Sequence, residues 1–375
     1  MGEPKAAAGR NLGLDLLRMA AMFLVATLHV LGAGGVLDSA APLSPDYETA
    51  WLLECAAYCA VNCYALLSGY VGVNGRFRYA NLALLWLQAA FYTILIPAAF
   101  ALLAPGMVGT REVIRGFFPA MSNHYWYFTA YFAMFFFIPA FNYLVKHLKR
   151  RQMDVLAVSI VVVFSLLPTV FQRDVADIFP GDLFITYGGY SPLWLALLYI
   201  LGAYARKYNL FARISCAGAF GIYALCILLT WGEKWMVEGL GMKVLGEYIP
   251  GGLLVSYTSP TILLAAAALL AGFSKLRLPA WTAKPIGFLA PLSFSVYLIH
   301  VHPLMWRYVM AGRFIAFGSY GTVKLAVSVL GAALGIYVLC SAVDAIRAAL
   351  FRWLDLRGRL SRLEERYVGD LWADK

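Results

Sequence analysis

Three residues near the start of the chain have side chains that could act together: Asp15, Arg18 and His29, all inside one apolar run. An ionised group in a bilayer costs about 2.5–3.5 kcal/mol on insertion scales, so each ionisable residue in such a run is a functional candidate. On an ideal helix, the spacing from Arg18 to His29 places them within about 20° of each other and about 16 Å apart along the axis. Asp15 stands three residues before Arg18, close enough to pair with it. Met22 and Val25 fall on the same stripe. An ion pair near one end and an imidazole toward the other make little sense against lipid; they fit the wall of a passage or an active-site tunnel. The plainer alternatives are an arginine that snorkels to the interface and a hydrogen-bonded core histidine. Found together and in register, the two favour function.

Further polar groups recur at the ends of later apolar runs. Glu54 lies near the outer end of the second, at a depth similar to His29, where it could orient the imidazole or simply be solvated; solvation is the expectation. That run closes with Ser68, Gly69 and Tyr70, small residues permitting close helix approach. Arg76 and Arg78 follow; their guanidinium groups could grip a phosphorylated ligand at a cytoplasmic mouth, or be ordinary loop charge. The fourth run opens with His124, Tyr125, Trp126, Tyr127 and Phe128, an interface cluster in which His124 could contact a sugar and Trp126 could stack on one. The ninth holds Ser293, Ser295, Tyr297, His300 and His302, then Pro303. Spacing of i, i+2 aims the two histidines at different helix faces, so they form no single metal site, and one is expected to face the bundle interior. Cys55, Cys59 and Cys63 share a helix face, which reads as small-residue packing rather than a soft-metal site. No metal site and no disulfide framework is predicted.

The elements that must position these groups follow from composition. Of 375 residues, 62% are hydrophobic and only 13% charged, against about 25% charged in soluble domains, and mean hydropathy is +0.72. Such a chain cannot clothe its apolar mass in a water-facing shell, which excludes a soluble globular, disordered or fibrous protein. Ten spans are predicted, over roughly 12–36, 51–73, 80–104, 125–145, 153–171, 190–205, 214–232, 252–273, 286–311 and 321–345. The first is too long and too charged for a signal peptide. The net charge of +10 would suit nucleic acid in a soluble protein; here no nucleic-acid partner is expected. With the N-terminus inside, 21 of the 30 Lys and Arg fall in cytoplasmic segments and 7 outside, alternating loop by loop, which requires an even number of spans with both ends cytoplasmic. The expectation is thus an all-α polytopic membrane protein of about ten transmembrane helices. Residues 1–346 form the membrane domain, and residues 347–375 a basic amphipathic tail anchored along anionic membrane lipids.

Several of these residues carry a family resemblance. Arg10, Asp15 and Arg18, with the apolar run to His29, resemble the opening helix of the integral-membrane acyltransferase-3 family. Leu67 to Tyr70 with arginines just after, His124 to Phe128 with Pro139, and Ser293 to Pro303 resemble later family segments, in the same order, over roughly residues 10–345. The resemblance implies transfer of an acyl group, usually acetyl from acetyl-CoA, to a hydroxyl of an extracytoplasmic carbohydrate, a glycan or lipid-linked sugar, at the inner membrane of a bacterial cell. By it His29 is the essential histidine and Arg18 its partner. Ser68, Tyr70, Arg76 and Arg78 fall in the donor region, although the spacing of the two arginines is tighter than the family's usual pairs. Glu54, His124, Trp126, Tyr297 and His300 are the acceptor candidates. His29 would serve as general base, worth about 10²–10⁴-fold, or as the nucleophile that carries the acyl group. Arg18 would hold the donor or polarise its thioester carbonyl.

Two other functions fit parts of the pattern. A proton-coupled transporter or flippase would use Asp15, Arg18, His29, Glu54 and His300 as a relay, but no internal repeat supports it. A different class of membrane acyltransferase pairs a late histidine with an asparagine; Asn62 and Asn142 lack that context.

Overall fold

The structure is a computed structural model describing residues 10–104, 106–171, 184–369 and 371. Lys5, Arg173 and Lys375, which enter the charge pattern above, lie outside the described residues.

All regular structure among the described residues is helical. Seven helices are long and apolar enough to cross a bilayer: Leu12–Ser39, Pro45–Gly72, Tyr79–Leu103, Arg150–Phe171, Cys216–Leu245, Ala280–His300 and Thr322–Trp353. An eighth is the pair Trp126–Phe135 and Ile138–His147, bent by 58°. The remaining two of the ten expected spans are helices of only 16 residues, Pro192–Lys207 and Pro260–Lys275. Each covers about 24 Å, short of a hydrocarbon core of about 30 Å. The cause is local. Ser191 accepts from the Trp194 N–H and Ser259 from the Ile262 N–H, each followed by a proline at the first helical position, which starts the first helix at 192, close to its predicted 190 and at its predicted length, and the second at 260, well after its predicted 252. The non-helical backbone before them is buried at Gly189, Tyr257 and Thr258. Irregular backbone at this depth is tolerated where protein covers it or it lines a cavity.

The principal helices are α1 (Leu12–Leu31), α2 (Pro45–Tyr58), α3 (Ala60–Gly72), α4 (Tyr79–Leu103), α5 (Trp126–Phe135), α6 (Ile138–His147), α7 (Arg150–Val161), α8 (Pro192–Lys207), α9 (Cys216–Leu240), α10 (Pro260–Lys275), α11 (Ser293–His300), α12 (Thr322–Trp353) and α13 (Leu356–Tyr367). Helix α1 is the hub, packing against α2, α3, α10, α11 and α12. Its polar stripe therefore faces protein rather than lipid. Helices α3 and α8 approach backbone to backbone: a Cβ on Gly69 would stand 1.9 Å from the Tyr199 carbonyl oxygen, and one on Gly202 2.0 Å from that of Leu66. The ninth predicted span is broken after His300, because Pro303 cannot continue the ladder.

Hydrogen bonds gather the basic segments at one end. Asn11 donates to the Ser274 carbonyl at 2.8 Å, and Lys275 to the carbonyls of Phe211, Ala212 and Ile214. Lys207 donates to those of Val145, Lys146 and Leu148 at 2.8–2.9 Å. Arg76, Arg78 and Lys146 share a cavity with Glu364 of α13. Positive-inside bias would turn this face to the cytoplasm. Helix α12 runs unbroken through residue 346 to Trp353, and the chain turns only at Asp355, which adopts φ 47°. Helix α13 then folds back on α4, where the Glu364 carboxylate accepts from the Tyr79 and Ala80 N–H groups at 2.7 and 3.2 Å. The amphipathic tail is docked on the bundle here, with Glu364 filling orphan donors of a helix N-terminus.

Candidate active site

The charged end of α1 is assembled as its spacing predicts. Asn11 caps the helix by accepting from the Leu14 N–H at 3.2 Å. Asp15, 6% exposed, accepts from Arg18 Nη1 at 2.9 Å and from Arg10 Nε. Tyr64 of α3 donates its hydroxyl to the Arg18 carbonyl at 2.7 Å, tying the two helices at this level.

Higher on the same stripe, Met22, Val25 and His29 line a narrow cavity of about 30 Å³, room for one or two waters. Leu28 of α1, Val61 and Tyr64 of α3, Trp126 and Tyr127 of α5, Phe294 and Tyr297 of α11, and Tyr257 complete its wall. Arg18 lies below this cavity and is not part of its wall. The His29 Nδ1 stands 2.7 Å from Nε2 of His300, which is 2% exposed, and the Trp306 ring meets the His29 ring edge-on at 5.0 Å. The Nδ1 of His300 lies 2.5 Å from the Val296 carbonyl oxygen. A carbonyl only accepts, so that Nδ1 carries a proton. With both rings neutral, His300 Nε2 is then an acceptor and His29 Nδ1 the donor to it. The His29 Nε2 is left with a free lone pair, the atom a base or nucleophile needs.

Glu54 is not the imidazole's partner and is not solvated. It is 8% exposed, with one carboxylate oxygen lacking any partner among the described residues. The packing of α2 against α1, α9 and α12 buries it. Trp126 sits 4.5 Å from the half-exposed Tyr190 ring and 6.2 Å from Tyr257, so the outer wall of the cavity is aromatic. Tyr297 accepts the Tyr127 N–H at 3.3 Å. His124 is half-buried at the rim, bonded to Ser122; burial and nearby Arg115 hold its imidazole below the ordinary histidine range. His300 and His302 are both buried, where one interior histidine was expected, because the segment before α5 covers the second face: the His124 and His302 rings lie 5.7 Å apart.

A family model described as an acyltransferase domain matches residues 11–343. The chain belongs to the acyltransferase-3 family. No curated protein and no solved structure matches it. The acyltransferase has a second, larger cavity of about 1010 Å³ on its basic face, lined by Arg76, Arg78, Lys146, His147, Glu364 and Glu365 among others. It shares no lining residue with the His29 cavity, and Arg18 lines neither, so the passage or tunnel expected along the Arg18–His29 stripe is represented here by two separate cavities. Ser68 and Tyr70 line neither. The Ser68 hydroxyl donates to the Tyr64 carbonyl at 2.8 Å, and the Tyr70 ring packs under Arg206.

Two buried charge clusters escaped the sequence reading. Asp344 of α12 accepts from Arg347 Nε and Nη2 at 2.7 and 2.8 Å and from the Tyr92 hydroxyl at 2.6 Å. Lys234 and Glu238 of α9 are both buried, with Lys234 over the Trp51 ring at 3.8 Å. The available signal was i, i+3 and i, i+4 opposite charges at the end of an apolar run, the pattern that did reveal Asp15 and Arg18. In the sequence, Lys234 counts among the seven outer cations and Arg347 opens the basic tail.

Proposed function

We propose that this acyltransferase takes an acyl group, most simply acetyl from acetyl-CoA, at its cytoplasmic face and transfers it to a hydroxyl of an extracytoplasmic carbohydrate, as an integral protein of a bacterial inner membrane. The observation carrying this is the His29–His300 pair, which leaves a bare Nε2 on His29 inside an acyltransferase domain. In the proposed step His29 Nε2 removes the acceptor hydroxyl proton as that oxygen attacks the thioester carbonyl. The C–S bond breaks, and His29 returns the proton to the departing thiolate, so protons balance without loss to solvent. An acyl-histidine route would use the same nitrogen. His300 is a positioning residue: it fixes the tautomer and accepts from the imidazolium that forms.

Helix geometry separates Arg18 from His29 by about 16 Å. Of the two roles considered for Arg18, holding the donor therefore fits and polarising the carbonyl at His29 does not. Arg76, Arg78 and Lys146 border a chamber large enough for the nucleotide end of a CoA, and guanidinium suits its phosphates. Trp126, Tyr190 and Tyr257 offer aromatic faces on the acceptor side, where a sugar ring can stack.

The test is binding of acetyl-CoA to purified protein alongside transfer of its label to glycan. Arg18→Ala is expected to weaken nucleotide binding. His29→Ala should bind acetyl-CoA yet transfer nothing. A folded His29→Ala protein working at wild-type rate would sink the mechanism; wild-type protein that ignores the nucleotide would favour a transporter.

A further inference from the structure

Beyond Tyr297 from the His29 cavity lies a polar pair that the proposed step leaves unused. His302, 1% exposed, accepts the Leu304 N–H at Nδ1 at 3.3 Å, which leaves its proton on Nε2. That Nε2–H is buried without a partner among the described residues, and so is the hydroxyl of Tyr125, itself 0% exposed. The two rings are 6.3 Å apart, and Tyr125 is 5.8 Å from Tyr297. Natural proteins satisfy the large majority of buried polar atoms, so two orphans on neighbouring rings leave bonding capacity for a further polar group. Tyr297 and Trp126, the residue after Tyr125, both line the His29 cavity, so the pair lies behind that wall, one ring away from the cavity.

We infer that His302 and Tyr125 form a seat for one hydroxyl of the acceptor, and so select which neighbouring hydroxyl is presented to His29. The inference rests on the acyl-transfer reading above. A hydroxyl suits both partners: it accepts from His302 Nε2–H and either donates to or accepts from the Tyr125 oxygen. Neither donor carries a charge, so the seat favours a neutral polyol over an anion. The half-buried Ser122–His124 pair at the rim continues the polar surface outward from His302.

Two measurements on Tyr125→Phe, with His302→Gln beside it, test the seat. The first is the melting temperature of purified protein without substrate. Tyr125→Phe should melt at or above the wild-type temperature, because its hydroxyl has no partner to lose. A clear fall would mean that a protein group or a fixed water already satisfies it, which overturns the seat. The second uses membranes of the source cell lacking its own copy, supplied with each variant and radiolabelled acetyl-CoA, scoring base-labile label in the glycan. The acceptor level giving half-maximal rate should rise about three- to ten-fold, the KM for acetyl-CoA should hold, and the ester should spread over more than one hydroxyl. Unchanged acceptor dependence and unchanged ester position in both folded variants would overturn the proposal. Wild-type membranes that label no glycan would instead sink the acyl-transfer reading, and the seat with it.

Discussion

His300 sets what His29 can do. Its Nδ1 is committed to the Val296 carbonyl, so its Nε2 must accept from His29 Nδ1, which leaves the His29 Nε2 lone pair free on a residue that lines the cavity. Replacing His300 with alanine should therefore leave acetyl-CoA binding near wild type and lower kcat by about 10²-fold, the usual loss when a reacting group is misplaced by an ångström. The pH profile of kcat should move with it, which a purely structural loss would not do. His29 and Arg18 were legible because ionisable residues stand out against an apolar run. Their partners were not: His300 is 271 residues away, and helix periodicity says nothing about which helix faces which. Glu54 shows the same limit, since its depth could be read but not what covers it. The Asp344–Arg347 pair was not legible, because the sequence alone carries no burial signal for it. Asp344→Ala should strand the Arg347 guanidinium, whose side chain is 10% exposed, without its anion. The expected cost is about 3–5 kcal/mol, seen as a lower melting temperature in detergent, with Asp344→Asn milder because it keeps a hydrogen-bond acceptor.

Among elements, the contacts that hold the site in place are close approaches and caps. Gly202 lets α8 lie on the backbone of α3, the helix that carries Tyr64 into the cavity wall. Gly202→Val would push side-chain carbons into the Leu66 carbonyl; overpacking of this kind costs about 1–3 kcal/mol. The melting temperature should fall, and transfer with it, because Tyr64 moves with α3. Helix existence was readable at all ten expected positions, since apolar length reports it. Helix ends were less so: the late start of α10 depends on a Ser–Pro cap and on the buried loop before it, a tertiary effect. The docking of α13 was also hidden, because its charges suggest a lipid surface equally well. Glu364→Ala should remove the cap on α4, and hydrogen exchange of residues 356–367 should speed up while that of α1 stays slow.

At the scale of the whole molecule, the charged ends and the two chambers give the protein a direction. The larger chamber opens among arginines and lysines on the face that positive-inside bias assigns to the cytoplasm, and the smaller one sits beneath aromatic rings toward the other face. A donor as large and anionic as acetyl-CoA cannot cross lipid, so only one face should accept it. Reconstituted vesicles in which protease clips α13 from outside have that face outward. In those vesicles external acetyl-CoA should be consumed when acceptor is sealed inside, and His29→Ala should abolish the consumption. In vesicles of the opposite orientation, external acetyl-CoA should remain untouched even with acceptor present on the same side. Equal consumption in both orientations would mean that donor and acceptor meet from either face, and the polarity argued from the basic end, the stripe on α1 and the aromatic wall would be wrong.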